Sequence, residues 1–148
     1  MAISGSGLYG LTLEKMLNNT AAIDLEAEDN KICMVEDGYT PAYDTHDFYA
    51  DLTNEVAGTG YSAGGQTITT TEISVAAPAA GKLKWAAGNT SWTTSTIPNA
   101  MAAVIYCDSV VSDPLIILVD FVTAASTTAG TFAITWHADG IFNLDYVP

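Results

Sequence analysis

The stretch Asp51-Leu52-Thr53-Asn54-Glu55-Val56-Ala57-Gly58-Thr59-Gly60-Tyr61-Ser62-Ala63-Gly64-Gly65 divides the chain into two unlike parts. Its first residues have the polar character of a helix end. Its last eight include four glycines, which suit a turned connector. From residue 67 onward, Thr-rich and β-branched segments alternate in the manner of strands. The stretch therefore predicts helices before the connector and a β-rich remainder after it.

Seven segments after the connector are predicted strands: 67–75, 82–86, 91–94, 102–107, 115–121, 131–136 and 141–147. Turn residues separate them, among them Pro98-Asn99, Gly130 and Asp139-Gly140, and the last predicts a hairpin over 136–142. Several short strands without intervening helices favour antiparallel pairing. We predict a mainly β fold, either an antiparallel β-sandwich or a jelly-roll-like barrel, with one or two short helices in the N-terminal half.

Before the connector, the apolar residues at 8, 11, 13, 16 and 17 fit one face of a short helix. Residues 23–28 alternate apolar and acidic side chains, which predicts a half-exposed strand. Residues 31–35 predict a second, more buried strand.

A second helix is predicted over 45–56, with Asp44 or Thr45 as its N-cap. Its buried side would consist of Phe48, Tyr49, Leu52 and Val56. At 148 residues the chain is expected to form a single domain over 1–148. The domain would comprise an N-terminal arm and short helix over 1–22, followed by a β-rich body over 23–148 with the second helix near 45–56.

The charge is strongly one-sided. Seventeen acidic residues face four lysines and no arginine, for a net charge of -13. This balance argues against direct binding to nucleic acid or to anionic membrane surfaces, because Lys and Arg supply most of that affinity. No apolar run is long enough for a membrane helix, and the N-terminus lacks signal-peptide features. We therefore expect a protein that folds in a cytosol and does not associate with membranes.

Ten of the acids lie between Asp24 and Glu55. This segment is either a solvated acidic face that maintains solubility or a docking surface for a basic partner. Cys33 and Cys107 each sit in an apolar run, so both are expected to be buried and reduced.

Motifs that could carry chemistry are weak. Gly58-Thr59-Gly60-Tyr61-Ser62-Ala63 matches a dinucleotide fingerprint, but that motif must follow a strand and open a helix. The segment 44–47 and the acids at 24, 26 and 28 offer possible metal ligands, although no calcium-loop pattern is present. Trp85, Trp92 and Trp136 are either a sugar-binding platform or core residues. We expect no catalytic residue, cofactor or metal, and hence a protein that is not an enzyme.

Several separated blocks follow one another along the chain: Leu8-Tyr9-Gly10, Tyr39-Thr40-Pro41, Asp44-Thr45-His46, the connector block from Leu52 to Gly65, Ala103-Val104-Ile105-Tyr106, Asp113-Pro114-Leu115-Ile116, Val119-Asp120-Phe121, and the block from Phe132 to Phe142. In this order the blocks resemble a family of small structural proteins of tailed-bacteriophage particles. The segment 73–87 departs from the resemblance, and the resemblance supplies no catalytic residue.

The resemblance implies a virion protein that is synthesised in the cytoplasm of a bacterial host, and we expect it to be a capsid decoration (cement) protein on the exterior of a tailed-phage head. Its partner would be the major capsid protein or another virion protein, and it would self-associate, with a trimer favoured. The alternatives are a tail, neck or head-fibre component, and a carbohydrate- or host-surface-binding module. The candidate interaction residues are Asp24, Glu26, Glu28, Asp29, Leu8 and Leu11.

Overall fold

The computed structural model describes residues 3–147, so residues 1, 2 and 148 of the predicted domain lie outside the described residues. The fold is mainly β, as predicted, with strands in two antiparallel sheets that form a sandwich-like arrangement. The elements are β1 (Gly7–Leu8), α1 (Gly10–Leu17), β2 (Asn30–Val35), a 3-10 turn (Tyr49–Asp51), β3 (Gln66–Thr67), β4 (Glu72–Val75), β5 (Lys82–Ala86), β6 (Thr90–Cys107), β7 (Leu115–Ile134) and β8 (Phe142–Asp145).

The larger sheet has five strands in the order β1-β7-β6-β2-β3, and the smaller has three in the order β4-β5-β8. Every strand pair is antiparallel. The long hairpin of β6 (18 residues) and β7 (20 residues) is the centre of the larger sheet. The sequence predicts two shorter strands in place of each of these.

Both faces of the larger sheet are covered at its centre. Along β2, Ile32 and Met34 belong to one apolar cluster, which also contains Trp85 of the smaller sheet. Cys33 and Val35 belong to a second cluster on the opposite face. Because successive strand residues point to opposite faces, a strand buried on both sides must be apolar throughout. This explains the uninterrupted apolar runs of the sequence.

The second cluster is covered by chain segments that are mostly irregular. The N-terminal arm contributes Ile3 and Tyr9, and the loop before the 3-10 turn contributes Tyr39, all fully buried. The Tyr9 and Tyr39 hydroxyls are hydrogen-bonded at 2.9 Å. Both cysteines are free and buried, as predicted.

The predicted N-terminal helix is confirmed as α1, although it begins at Gly10. Leu8 lies in β1 instead, where it pairs with Ile117 of β7. Thr12 is the buried residue of α1, while Leu13 and Leu17 are exposed.

The predicted strand over 23–28 is wrong, because this segment is a series of bends and turns. Its acidic side chains bind backbone amides instead of projecting from a ladder. Asp24 Oδ1 accepts a hydrogen bond from Glu26 N at 2.9 Å, an Asx turn that competes with an extended strand.

The predicted helix over 45–56 is also wrong, and only the 3-10 turn forms there. Asp51 accepts hydrogen bonds from the backbone N–H groups of Asp47 and Phe48, which lower the pKa of its carboxyl group. Beyond it the chain becomes extended, because Val56 N donates to Met34 O at 2.9 Å. Pairing with β2 thus replaces the predicted helix.

Two further strand predictions need revision. The segment 67–75 is divided into β3 and β4, with Thr70 between them at φ 55°. The Asp139-Gly140 turn is confirmed, since Gly140 N donates to His137 O at 2.9 Å. However, the strand that follows pairs with β5 and not with β7, so the predicted hairpin is wrong beyond its turn.

Candidate interaction surfaces

The predicted acidic residues lie together in one loop over 24–29, which we call the acidic loop. Glu28 Oε1 accepts a hydrogen bond from Thr70 N at 2.7 Å, and Glu26 Oε1 accepts one from Ile73 N at 3.0 Å. Asp29 also contacts a distant segment, because its carbonyl oxygen accepts a hydrogen bond from Asp108 N at 3.3 Å. The carboxylates of Glu26 and Glu28 therefore help to hold the segment around β4 against the acidic loop.

Leu8 and Leu11, the two predicted apolar contact residues, lie in different elements. Leu8 lies in β1 and lines an apolar groove beside α1. Leu11, on the first turn of α1, is half-buried and is not part of that lining. Of these two residues, only Leu8 contributes to the groove, whose lining also includes Leu25 of the acidic loop.

The glycine-rich connector over 51–65 is fixed by a group of hydrogen bonds around Glu55, which we call the Glu55 cluster. Its carboxylate accepts hydrogen bonds from the hydroxyls of Tyr49 and Tyr61 and from Gly64 N, the last two at 2.6 and 2.7 Å. The Tyr61 hydroxyl also accepts a hydrogen bond from Met34 N at 3.0 Å. Burial, and then the bond to Glu55, raises the pKa of both tyrosines.

Three glycines allow the connector to lie against the larger sheet. A Cβ on Gly58 would be 2.1 Å from the carbonyl oxygen of Thr96, and one on Gly65 would be 1.8 Å from that of Ile32. Gly60 and Gly65 have φ of +77° and +68°, values that favour glycine. The glycines thus serve close packing against β6 and β2, and no helix follows them.

The tryptophans do not form a common surface. Trp85 is fully buried, its indole N–H donates to Leu25 O at 2.9 Å, and Trp92 is 6% exposed. The core interpretation is confirmed for these two. Trp136 is half-buried and lines a cleft described below.

The segment 44–47 does not cap a helix. His46 Nδ1 is hydrogen-bonded to the Tyr39 hydroxyl at 2.8 Å, and Asp47 pairs with Lys15 of α1. Among residues 3–147, no three His, Cys, Asp or Glu side chains are grouped so that they could hold a metal ion. Over the same residues, no helix is long and apolar enough to cross a membrane.

One large surface carries no charge. It consists of residues 90–99 of β6 and 121–134 of β7, which we call the ribbon, and it contains no Asp, Glu, Lys or Arg. Its exposed side chains are mostly small and hydroxylated: Ser91, Thr93, Thr94, Thr96, Pro98, Asn99, Val122, Thr123, Ala124, Ser126, Thr128, Ala129, Thr131 and Ala133, of which Val122 is a large apolar residue 70% exposed. Such a surface stands out on a chain of net charge -13.

The outer edge of β7 is open along the ribbon. β1 is the strand paired with this edge among the described residues, and it reaches only Ile117 and Leu118. Register shifts along the β6–β7 ladder interrupt its regularity, and Val122 and Ala129 have positive φ. Bulges of this kind are a common protection of an exposed edge against indiscriminate strand pairing.

A cleft of about 330 Å³ lies beside the ribbon, between β7 and the turn before β8. Phe121, Phe132 and Trp136 are among its lining residues. The Phe121 and Phe132 rings are 6.3 Å apart, with Phe132 also packed edge-on against Trp92. The cleft offers a rigid aromatic pocket for an apolar side chain.

The ribbon was not predicted, although the sequence contains a signal for it. Residues 85–107 and 121–135 are two long runs without a charged residue. Their pairing as one surface follows only from the hairpin. The chain matches no protein-family model, no curated protein and no solved structure.

Proposed function

We propose that the protein is a non-enzymatic structural component of a tailed-phage particle, a capsid decoration protein that attaches through the ribbon. The sequence resemblance described above motivates the virion assignment. The observation that carries the mode of attachment is the uncharged, exposed ribbon on an otherwise acidic chain.

The ribbon is suited to a broad contact because its desolvation is inexpensive. Removing a charged side chain from water costs several kcal/mol, whereas an alanine methyl group carries no such penalty and a threonine hydroxyl carries little once it forms a hydrogen bond with the partner. Threonine hydroxyls both donate and accept hydrogen bonds, so they adapt to polar groups on a partner. The aromatic cleft next to the ribbon gives such a contact a place for one buried anchor residue.

The acidic remainder of the molecule would set the orientation. Copies held close together on a capsid repel one another through their acidic surfaces, and this repulsion directs the uncharged ribbon towards the particle. Self-association, for which we favour a trimer at a three-fold position, would multiply a weak contact by avidity.

The first test is a cryo-electron microscopy reconstruction of the parent virion, with the copy number determined by quantitative mass spectrometry. We expect hundreds of copies in an icosahedral lattice on the head exterior, with the ribbon against the capsid. A small copy number on the tail axis would move the protein to the tail or neck. Absence from the particle would overturn the proposal.

A rebinding assay tests the ribbon itself. Thr128→Lys and Thr128→Glu place opposite charges on its exposed surface, and both should abolish attachment to depleted particles, because either charge must be desolvated. Thr53→Lys, at an exposed site in the connector segment, is the matched control and should attach normally.

Salt distinguishes the ribbon from the acidic loop. Attachment through the ribbon should be nearly independent of salt, because no charges face the partner. Attachment through Asp24, Glu26 and Glu28 should weaken steeply as salt rises, since exposed charges are screened over about 8–10 Å at 0.1–0.15 M. Strong salt dependence, together with normal attachment of both Thr128 variants, would assign docking to the acidic loop.

A further inference from the structure

The cleft beside the ribbon is lined by two separate parts of one strand. Phe121 and Phe132 both belong to β7, and a straight strand would hold them about 36 Å apart. Their rings are nevertheless 6.3 Å apart, because the register shifts of the β6–β7 ladder bend the hairpin. The bent strand thus supplies two walls of the cleft, and the turn at 137–141 adjoins them.

The cleft lies at the outer edge of β7 and not beneath one of its faces. Six consecutive residues, 132–137, line it. Because side chains alternate between the two faces of a strand, a cleft under a single face would be lined by every second residue. Among residues 3–147, none from β6, the strand that pairs with the other edge of β7, belongs to the lining. The backbone of β7 therefore borders the cleft.

The backbone groups along this edge have room for another strand. Residues 130–134, which we call the edge segment, pair with β6 on their inner side. In an antiparallel pair, alternate residues direct their N–H and C=O groups away from the partner strand. Outside the strand ladders, no backbone–backbone hydrogen bond of the described residues involves a residue from 130 to 135. The edge segment is therefore a template for strand pairing.

The same bend limits how long an added strand could be. Val122 and Ala129 have positive φ and lie before the edge segment, so the regular ladder is confined to its few residues. A partner that pairs only through backbone groups would gain little from so short a ladder. Selective binding at this edge needs a second contact, and the cleft beside it provides one.

The cleft suits one large apolar side chain. Its volume of about 330 Å³ accommodates a leucine or phenylalanine side chain between Phe121, Phe132 and Ile141. Its lining contains no Asp, Glu, Lys or Arg among the described residues. A charged side chain would therefore lose its hydration without gaining a counter-charge, which is strongly unfavourable.

A second copy of the chain matches this edge poorly. Within the edge segment, Phe132 and Ile134 are buried, and the exposed side chains Thr131 and Ala133 are small. Two copies paired through this segment would bring their clefts together without a large side chain to fill either. A separate extended peptide does not have this deficiency.

We propose that the edge segment binds an extended, uncharged peptide segment of a partner protein, which adds a strand to β7 and places one large apolar side chain in the cleft. In strand addition, backbone hydrogen bonds provide affinity and side-chain pockets provide specificity. The inference rests on the proposed function in taking this partner to be a capsid protein. The mode of binding itself can be tested without the particle.

An NMR titration of the full chain with a model peptide is the direct test. The probe is a capped seven-residue peptide with leucine at its centre and threonine elsewhere, and matched peptides carry alanine or glutamate at the centre. We expect saturable chemical-shift changes centred on 130–137, with one peptide per chain. The alanine and glutamate peptides should bind at least roughly tenfold more weakly, because they leave the cleft unfilled or bury a charge.

Hydrogen exchange distinguishes strand addition from apolar docking alone. When about 90% of the chains hold the leucine peptide, the outward-facing amides of the edge segment should exchange about tenfold more slowly, because they are then hydrogen-bonded to the peptide. These amides should alternate with ones already protected by β6. Docking of the leucine side chain alone would leave their exchange rates unchanged.

A pair of variants tests the cleft. Ala125 is half-buried and lines the cleft, so Ala125→Leu should fill part of it and weaken binding of the leucine peptide at least roughly fivefold. Ala124 is exposed and does not line the cleft. Ala124→Leu is therefore the matched control and should bind the peptide as the unmodified protein does.

Four results would overturn the proposal. Three are the absence of saturable shifts, equal affinity for the leucine and alanine peptides, and unchanged exchange of the edge amides at saturation. The fourth is a dimer in sedimentation whose edge amides are protected without peptide, which would assign the edge to a second copy. None of these results alters the copy number or position of the protein in the virion, and absence from the virion would not alter peptide binding. The two proposals therefore fail separately.

Discussion

The two halves of the β6–β7 hairpin are built from the same two strands and have opposite surroundings. The base, residues 100–107 of β6 and 115–120 of β7, is flanked by β2 and β1, and residues 100–107 are all buried. The ribbon buries one face only, through residues such as Trp92, Ile97 and Phe132, and exposes the other. One hairpin thus combines a stabilising core with an open contact surface.

The difference follows from what covers each half. One face of the base is covered by the smaller sheet, and the other by the N-terminal arm and the loop that contains Tyr39. The side chains on both faces of the base are therefore apolar. The ribbon extends past the second of these covers only, because Trp92, Ile97 and Phe132 still belong to the cluster that contains Trp85, whereas no ribbon residue belongs to the other cluster. Its outward positions are therefore free to be threonine, serine or alanine. We infer that the base determines stability and that the ribbon tolerates change.

The largest effect is expected from Ile105→Ala in the base. Ile105 is fully buried, so the variant should lose about 2–5 kcal/mol of unfolding free energy through lost contacts and a residual cavity. Thr93→Ala, at an exposed ribbon position, should change it by less than about 0.5 kcal/mol. Urea unfolding of both variants measures the two losses of unfolding free energy. Equal losses would show that the base and the ribbon contribute equally to stability.

A glycine pair gives the next largest contrast. Gly65→Ala should cost about 2–4 kcal/mol, because the new Cβ meets the Ile32 carbonyl oxygen at a positive φ and disturbs a strand hydrogen bond. Gly130→Ala, in the ribbon, places its Cβ 3.7 Å from Thr128 O, the nearest atom outside the adjoining residues, and should be nearly neutral. Thermal unfolding of the two variants provides the comparison.

Glu55→Gln tests how the connector is held against the base. The neutral amide cannot replace a carboxylate that accepts three hydrogen bonds, and we expect a loss of about 1.5–3 kcal/mol. Glu14→Gln, on the exposed side of α1, should leave stability unchanged. A neutral result at Glu55 would show that glycine packing alone fixes the connector.

Asp51 should contribute to stability only above acidic pH. Hydrogen bonds from two backbone amides lower the pKa of its carboxyl group in the folded protein. The contribution is therefore complete above the pKa of the unfolded chain, about 3.9, and is lost as the pH falls through the lower folded value. Asp51→Asn should reduce the decline of stability in an acid titration followed by circular dichroism, and an unchanged profile would contradict this.

The smallest effect on stability is expected for Thr128→Lys. The side chain is exposed on the ribbon, so the unfolding free energy should stay within about 0.5 kcal/mol of the unmodified value. This makes the variant suitable for the attachment assay, since a loss of binding could not be attributed to unfolding. A large destabilisation would show that the ribbon also supports the fold.

The sequence predicted those helices and strands that are determined by residues close together in the chain. The spacing of apolar residues located α1, the apolar run over 31–35 located β2, and the segment 82–86 was correctly predicted as the strand β5. Pro98-Asn99 and Gly130 predicted turns, yet each lies within a long strand, because the partner strand absorbs the irregularity as a register shift. The helix over 45–56 failed because Glu55 and Val56 contact residues that are distant in sequence.

The surfaces were harder to predict. The cluster of acidic residues in the acidic loop was evident from the sequence. The hydrogen bonds from Thr70 N and Ile73 N to its side chains could not be predicted, because they join segments distant in sequence. The ribbon requires knowing that two uncharged runs are paired. The groove requires bringing α1 next to Leu144, at the other end of the chain.

The position of β1 has a consequence for how the chain is made. Gly7 pairs with Leu118, so the N-terminal arm must wait for a strand synthesised roughly 110 residues later. β2 likewise needs β6, which follows it by about 70 residues. Long-range pairing of this kind is slow, because loop closure precedes any favourable contact. We expect the nascent chain to remain unfolded on the ribosome until the β6–β7 hairpin has emerged, after which the arm is the last piece to close.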